Sequence, residues 1–203
     1  EAAEEALYIA QHKRRIAFFF SAMRHFAEDQ RSEGRFVIYR QLDEEGAPQT
    51  LADAMAEAFE EHAPQSVEVV QPGDARVLSA LSARAEACGY ELSVFEDRHF
   101  LTTPAEFAER REGRKRFILE DFYRAERKRT GLLMDDAGEP VGGAWNFDKE
   151  NRKPFGKNGP GLTPERPRFT PDAITKDVLS LVAERFADAP GVLDDFAEPV
   201  SRA

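Results

Sequence analysis

Cysteine is almost missing from these 203 residues, with Cys88 the single example. One thiol closes no internal disulfide, and it cannot supply a cysteine-ligated zinc or iron–sulfur centre, which needs several thiolates. Long apolar runs are missing too. None approaches the roughly 18 residues of a membrane span, and no charged stretch followed by an apolar one opens the chain as a signal peptide would. A soluble, cytoplasmic protein is the expectation. The phosphate-cradling G-x-x-x-x-G-K-[ST] and G-x-G-x-x-G patterns are lacking, and Gly142-Gly143 is only a pair. Ser21 has no G-x-S-x-G elbow around it. His12, His25, His62 and His99 are scattered without the i, i+3 or i, i+4 pairing of helical metal ligands, and read as structural or surface histidines. A self-sufficient enzyme on a nucleotide-binding fold is therefore disfavoured, because no nucleophile, metal set or phosphate loop is visible.

What is present is a globular composition: 41% hydrophobic and 33% charged residues, with a formal net charge of −10. That is enough apolar mass for a core, and the length suits one domain or one domain with an appendage. Three β-rich runs, Phe36–Tyr39, Val67–Val70 and Leu92–Phe95, alternate with amphipathic stretches from Thr50 to Ala63 and from Asp74 to Cys88, the latter stopped by Gly89. This alternation predicts an α/β fold with an open, mostly parallel, Rossmann-like sheet flanked by helices. Ile16, Phe19, Phe20, Met23 and Phe26 recur at helical spacing on one face of a long helix ending near Gly34. Phe18-Phe19-Phe20 spans more than half the circumference, so burial on several sides is expected. In such a sheet this helix should follow a strand. The chain starts at Glu1, not Met, so a first strand upstream of Glu1 is expected.

Beyond Phe95 the character changes. Thr103-Pro104-Ala105-Glu106 combines an N-cap, a proline at the first helical position and an acidic first turn. A helix from about Lys115 to Thr130 stops at Gly131, and Asp136-Ala137-Gly138 predicts a hairpin turn. Asn151 to Pro171 is an irregular, Pro- and Gly-rich loop, and Thr170-Pro171-Asp172 starts a last helix with Ile174, Val178, Leu181, Val182 and Phe186 on one face. Between Lys149 and Arg168 six basic residues face two acidic ones, so an acidic chain carries a basic loop.

Several residues admit two readings. Glu1, Glu4 and Glu5 favour a helix start through the dipole, or one of them accepts hydrogen bonds from a ligand's ring N–H or hydroxyl groups. Phe19 is a core residue or a stacking surface for a flat ligand. His12-Lys13-Arg14-Arg15 is a solvated face or a site for an anionic partner. In the segment from Pro140 to Pro154, Trp145 and Phe147 anchor the chain, while Arg152, Lys153 and Lys157 beyond it are positioned to meet phosphates or a base face.

Three separated motifs carry a resemblance: Lys13-Arg14-Arg15-Ile16-Ala17-Phe18-Phe19-Phe20-Ser21-Ala22-Met23-Arg24-His25-Phe26-Ala27, then Thr130-Gly131-Leu132-Leu133-Met134, then Trp145-Asn146-Phe147-Asp148-Lys149-Glu150-Asn151-Arg152-Lys153-Pro154. Together they resemble the deoxyribodipyrimidine photolyase-related proteins, the bacterial iron–sulfur cryptochromes and (6-4) photolyases. The resemblance implies that residues 1–148 form an antenna domain lacking its first strand. Residues 149–203 would then be a basic interdomain loop and linker helix leading to a further domain beyond Ala203. It implies 6,7-dimethyl-8-ribityllumazine as pigment in this domain, and FAD with a four-cysteine 4Fe–4S cluster in the C-terminal FAD domain. Glu5 stands where the family's lumazine-binding glutamate stands, with Glu1 beside it. Phe19 takes the helix position lining the pigment, where the family pattern has an aliphatic residue. Asn151, Arg152, Lys153 and Lys157 fall in the loop that grips DNA with (6-4) photoproducts. Light-driven repair or blue-light sensing is the implied role of the whole protein, and catalysis by these 203 residues alone is not expected. The alternative is a pigment-free scaffold that only holds a neighbouring domain.

Overall fold

The computed structural model describes residues 1–148 and 154–201. Among these, seven helices and two strands follow one another: α1 (Ala3–Leu7), α2 (Lys13–Ser32), α3 (Leu51–His62), β1 (Val67–Val70), α4 (Ala75–Cys88), β2 (Leu92–Phe95), α5 (Pro104–Arg111), α6 (Leu119–Thr130) and α7 (Ala173–Arg185). No helix among the described residues is long and apolar enough to cross a membrane.

Side-chain caps set most of the helix starts. His12 Nδ1 accepts from the Arg14 N–H at 3.2 Å, Thr50 Oγ1 from Asp53 N–H at 3.0 Å, and Asp172 Oδ1 from Thr175 N–H at 2.9 Å. Thr103 and Glu106 form a reciprocal capping box with Pro104 at the first turn. Gly89 and Gly131 end α4 and α6 at φ of 75° and 72°, a left-handed conformation that a side chain would strain.

The sheet is smaller than the sequence suggests. β1 and β2 pair in parallel, Val67 opposite Leu92 through Val70 opposite Phe95, with α4 as the crossover and α3 packed on it. The expected strand at Phe36–Tyr39 does not form, and an open multi-stranded sheet is not seen among the described residues. Composition makes that run extended, but a strand needs a neighbour to take its N–H and C=O groups. Here Phe36 is 83% exposed and sets its ring edge-on to His62, and the Val37 carbonyl accepts from Arg31 Nη2 at 3.3 Å.

The chain divides into two compact units. One comprises Glu1–Phe95 with Arg166–Ala203, the other Glu96–Glu165; the expected functional boundary after Asp148 lies inside the second. The first unit's core joins Ile16, Ala17 and Phe20 of α2 to Val178, Leu181 and Val182 of α7, closed by Leu42, Phe186 and Phe196. The buried stripe of α2 runs through Ile16, Ala17, Phe20, Ser21, Arg24 and Ala27. Phe19, Met23 and Phe26, expected on the core face, are exposed. The helical period is as expected, but the helix is turned. Small residues, Ala17 and Ser21, face the core beside Ile16 and Phe20 and let α7 approach, while Phe19, Met23 and Phe26 point outward.

In the second unit Phe107, Phe117 and Phe122 form an aromatic triad with centroids 5.0–5.6 Å apart. Glu126 gathers Thr102 at 2.6 Å, Arg110 at 2.8 Å and Arg129 at 2.6 Å. The predicted turn after Asp135 is present: Asp135 Oδ1 accepts from Ala137 and Glu139 N–H, and Met134 bridges Pro140 in antiparallel fashion.

Candidate functional site

Glu1 is the more deeply placed of the two expected carboxylates. Its side chain is fully buried, and Oε1 accepts from Arg24 Nε at 2.6 Å and Tyr39 Oη at 3.0 Å, while Oε2 accepts from Arg24 Nη2 at 3.0 Å and Leu42 N–H at 2.9 Å. Four donors take up the four lone-pair positions of a carboxylate. Glu1 is thus committed to the protein's own groups, tying the chain start to α2 and to the 39–42 segment. Burial works against the Arg24 cation, but the contact with Glu1 outweighs it and holds its pKa above the ordinary value. Burial, then the Glu1 charge, pushes the Tyr39 phenol up.

Glu5 sits at a different kind of position. It is about one-third exposed, and its two oxygens receive the fork of Arg76, Nη1 to Oε1 at 3.1 Å and Nη2 to Oε2 at 2.7 Å. Arg76 lies in the first turn of α4, whose cap Asp74 accepts the Arg76 N–H at 2.8 Å and approaches Nη2 at 3.5 Å. The guanidinium Cζ stands over the Tyr8 ring, 4.2 Å from its centroid. A fork takes one lone pair from each oxygen, so the outward pair stays available to a ligand donor. Around it Leu7, Tyr8 and Ile9 are all more than half exposed.

Phe19 faces outward from α2, edge-on to Phe18 at 5.7 Å and under the Arg15 guanidinium at 5.4 Å. Its partners and those of Glu5 share no residue. The first unit has a cleft of about 450 Å³ along α2, lined by Phe18, Ala22, His25 and Phe26 with Pro199 and Val200 opposite, and beside it a smaller one of about 180 Å³ at the start of α7. Neither Glu5 nor Phe19 lines these clefts. Between them stands His25, with Nδ1 2.7 Å from the Ser21 carbonyl and Nε2 2.7 Å from Asp172 Oδ2. Both ring nitrogens meet acceptors, which calls for the doubly protonated ring. Burial opposes that charge, yet Asp172 and the Ser21 carbonyl outweigh it, and the His25 pKa is raised. Asp172 is lowered to about 2 by the Thr175 N–H and by His25.

In the second unit Trp145 gathers three cations over its ring: Arg124 at 5.6 Å, Arg127 at 5.2 Å and Lys128 at 5.4 Å. Arg127 is buried and hydrogen-bonded to the Leu132 and Leu133 carbonyls. Of the residues expected on a DNA-facing loop, Asn151, Arg152 and Lys153 lie outside the described residues, and Lys157 is exposed.

The family model for deoxyribodipyrimidine photo-lyase-related proteins matches residues 1–197. The chain belongs to this family. It is 42% identical over 202 residues to a (6-4) photolyase of Agrobacterium fabrum, a match that covers all of this chain and 39% of that protein. It is also 22% identical over 161 residues to an uncharacterised protein of Acanthamoeba polyphaga mimivirus, covering 74% of this chain and 79% of that one. The chain therefore spans well under half the length of the photolyase it matches.

A four-cysteine cluster does not fit: Cys88 is the one thiol, free and exposed, and no three His, Cys, Asp or Glu among the described residues are placed to hold a metal. A neutral ring carrying N–H and hydroxyl donors fits the chemistry of Glu5, a partly exposed carboxylate with acceptor capacity left over. Arg76 and Arg24 were not singled out from sequence. Arg24 had a local signal, since it falls four residues after Phe20 and eight after Ile16, on the buried stripe. Arg76, 71 residues from Glu5, had none.

Proposed function

We propose that this photolyase-related chain is the light-collecting part of a flavin-dependent (6-4) photolyase or cryptochrome, binding a ribityllumazine pigment at Glu5. When bound, the pigment supplies absorption and passes excitation onward to FAD in a C-terminal domain. Glu5 accepts hydrogen bonds from its ring N–H or ribityl hydroxyls, and Phe19 offers an exposed aromatic face. The loop holding Asn151, Arg152, Lys153 and Lys157 meets the phosphates of DNA carrying a (6-4) photoproduct. The observation that carries this reading is Glu5 itself, a carboxylate fixed in place yet open on its outer side, in a chain that resembles a (6-4) photolyase over its whole length.

Titrating 6,7-dimethyl-8-ribityllumazine into the purified chain tests it, with binding read by the pigment's fluorescence. Wild type should bind, and Glu5→Ala should bind about tenfold or more weakly, the loss of one charge-assisted hydrogen bond of about 1.5–3 kcal/mol. Equal affinity removes Glu5 from the site. A second reading, a pigment-free scaffold, is favoured by the Glu5–Arg76 pair, which already balances the carboxylate's charge from within; no binding by wild type would establish it.

A further inference from the structure

Arg76 receives no ligand in either reading above, yet it determines how Glu5 is presented. Glu5 lies in α1, only five residues long, and a glutamate on so short a helix has three rotatable bonds and little to hold it. Arg76 comes from α4, and three contacts restrain it. Its backbone N–H is taken by the Asp74 cap, its guanidinium lies on the Tyr8 ring at 4.2 Å, and Asp74 Oδ2 stands 3.5 Å from Nη2. The Nε–H is buried without a partner among the described residues, so its bonds to carboxylates run through the two terminal nitrogens. The fork then fixes the Glu5 plane with both oxygens engaged.

We propose that Arg76 is the positioning residue of this site and sets its ligand class: a neutral molecule presenting adjacent N–H or hydroxyl donors, not a phosphorylated one. This rests on the reading that Glu5 contacts the pigment. The charge count makes the second half of the statement. One guanidinium stands between two carboxylates, Glu5 and Asp74, with Glu4 next in the chain, so the site is net negative and repels a phosphate. An unphosphorylated ribityl chain meets no such repulsion, and its hydroxyls find acceptors. Lysine at position 76 would keep the charge but could not present two coplanar donors.

The test compares 6,7-dimethyl-8-ribityllumazine with its 5′-phosphate on the purified chain and on Arg76→Gln, Arg76→Lys and Glu5→Ala. Folding of each variant is checked by circular dichroism. Wild type should prefer the unphosphorylated ligand. Arg76→Gln should bind lumazine about tenfold more weakly, the cost of ordering one freed side chain, and should lose still more affinity for the phosphate as the site grows more negative. Arg76→Lys should restore the wild-type preference between the two ligands while recovering lumazine affinity only in part. A merely structural arginine would weaken both ligands equally, and that outcome overturns the proposal. So does unchanged or tighter lumazine binding by Arg76→Gln while Glu5→Ala is impaired, which leaves Glu5 in the site and removes Arg76. If Glu5→Ala binds as wild type does, the reading of Glu5 itself fails and the proposal fails with it.

Discussion

Replacing Asp172 should destabilise the first unit by an amount that depends on pH. Oδ1 of Asp172 caps α7 at 2.9 Å and Oδ2 meets His25 at 2.7 Å. A carboxyl lowered from 3.8 to about 2 sets a ceiling of about 2.4 kcal/mol at 1.36 kcal/mol per pH unit. The side chain is 54% exposed, so solvent screens the charged part to about 0.5–1 kcal/mol, and the cap adds about 1 kcal/mol. Asp172 contributes above its ordinary value and loses that contribution as pH falls toward about 2. His25, held above 6.5, contributes fully below 6.5 and loses its part as pH rises through its raised value. The clasp is therefore at full strength between about pH 4 and 6.5. Asp172→Ala should lose about 1.5–2 kcal/mol at pH 6, a fall in Tm of roughly 3–8 °C for a chain of this size. Asp172→Asn keeps the cap, so at pH 6 it should lose about 0.5–1 kcal/mol, and at pH 9 almost nothing. Thermal melts followed by circular dichroism at the two pH values decide the matter. Identical losses at pH 6 and 9, or equal losses for Asn and Ala, would refute the reasoning.

Removing the buried cation beneath Glu1 is a harsher change. Arg24→Met leaves a fully buried carboxylate without its counter-charge and should cost about 3–5 kcal/mol in urea unfolding, and pairing it with Glu1→Gln should recover part of that. A midpoint unchanged in the single variant would contradict the burial. If the proposed DNA-facing loop engages about four phosphates, the log–log salt slope for duplex DNA carrying a (6-4) photoproduct should be near −3.6. Lys157→Ala should reduce its magnitude by about 0.9, Arg152→Ala should lower affinity, and a slope near zero would count against the loop.

Much of the first unit could be read directly. The helices start after Thr50, Asp74 and Asp172 as the amphipathic stretches require, Gly89 ends α4, and Val178, Leu181, Val182 and Phe186 are buried as their spacing requires. The apolar spacing of α2 puts Ile16 and Phe20 in the core as expected, but close approach of α7 selects the small Ala17 and Ser21 beside them and leaves Phe19, Met23 and Phe26 exposed. Phe36–Tyr39 looked like a strand because propensity describes one chain segment and pairing needs two. The site divides in the same way. Glu5 stands out in the sequence only through the family resemblance, and its role remains the proposal above. The guanidinium that holds it does not stand out at all, because no period links residues 5 and 76 and only the packing of α4 beside α1 brings them together.

Cys88 closes α4 as an exposed residue, and its thiol is the single one in these 203 residues. Disulfide-linked assembly of the purified 203-residue chain must therefore stop at two copies, since these residues offer a single point of attachment. The same singularity makes it a handle: a maleimide dye or spin label will report from one known place, at the end of the crossover between the two strands.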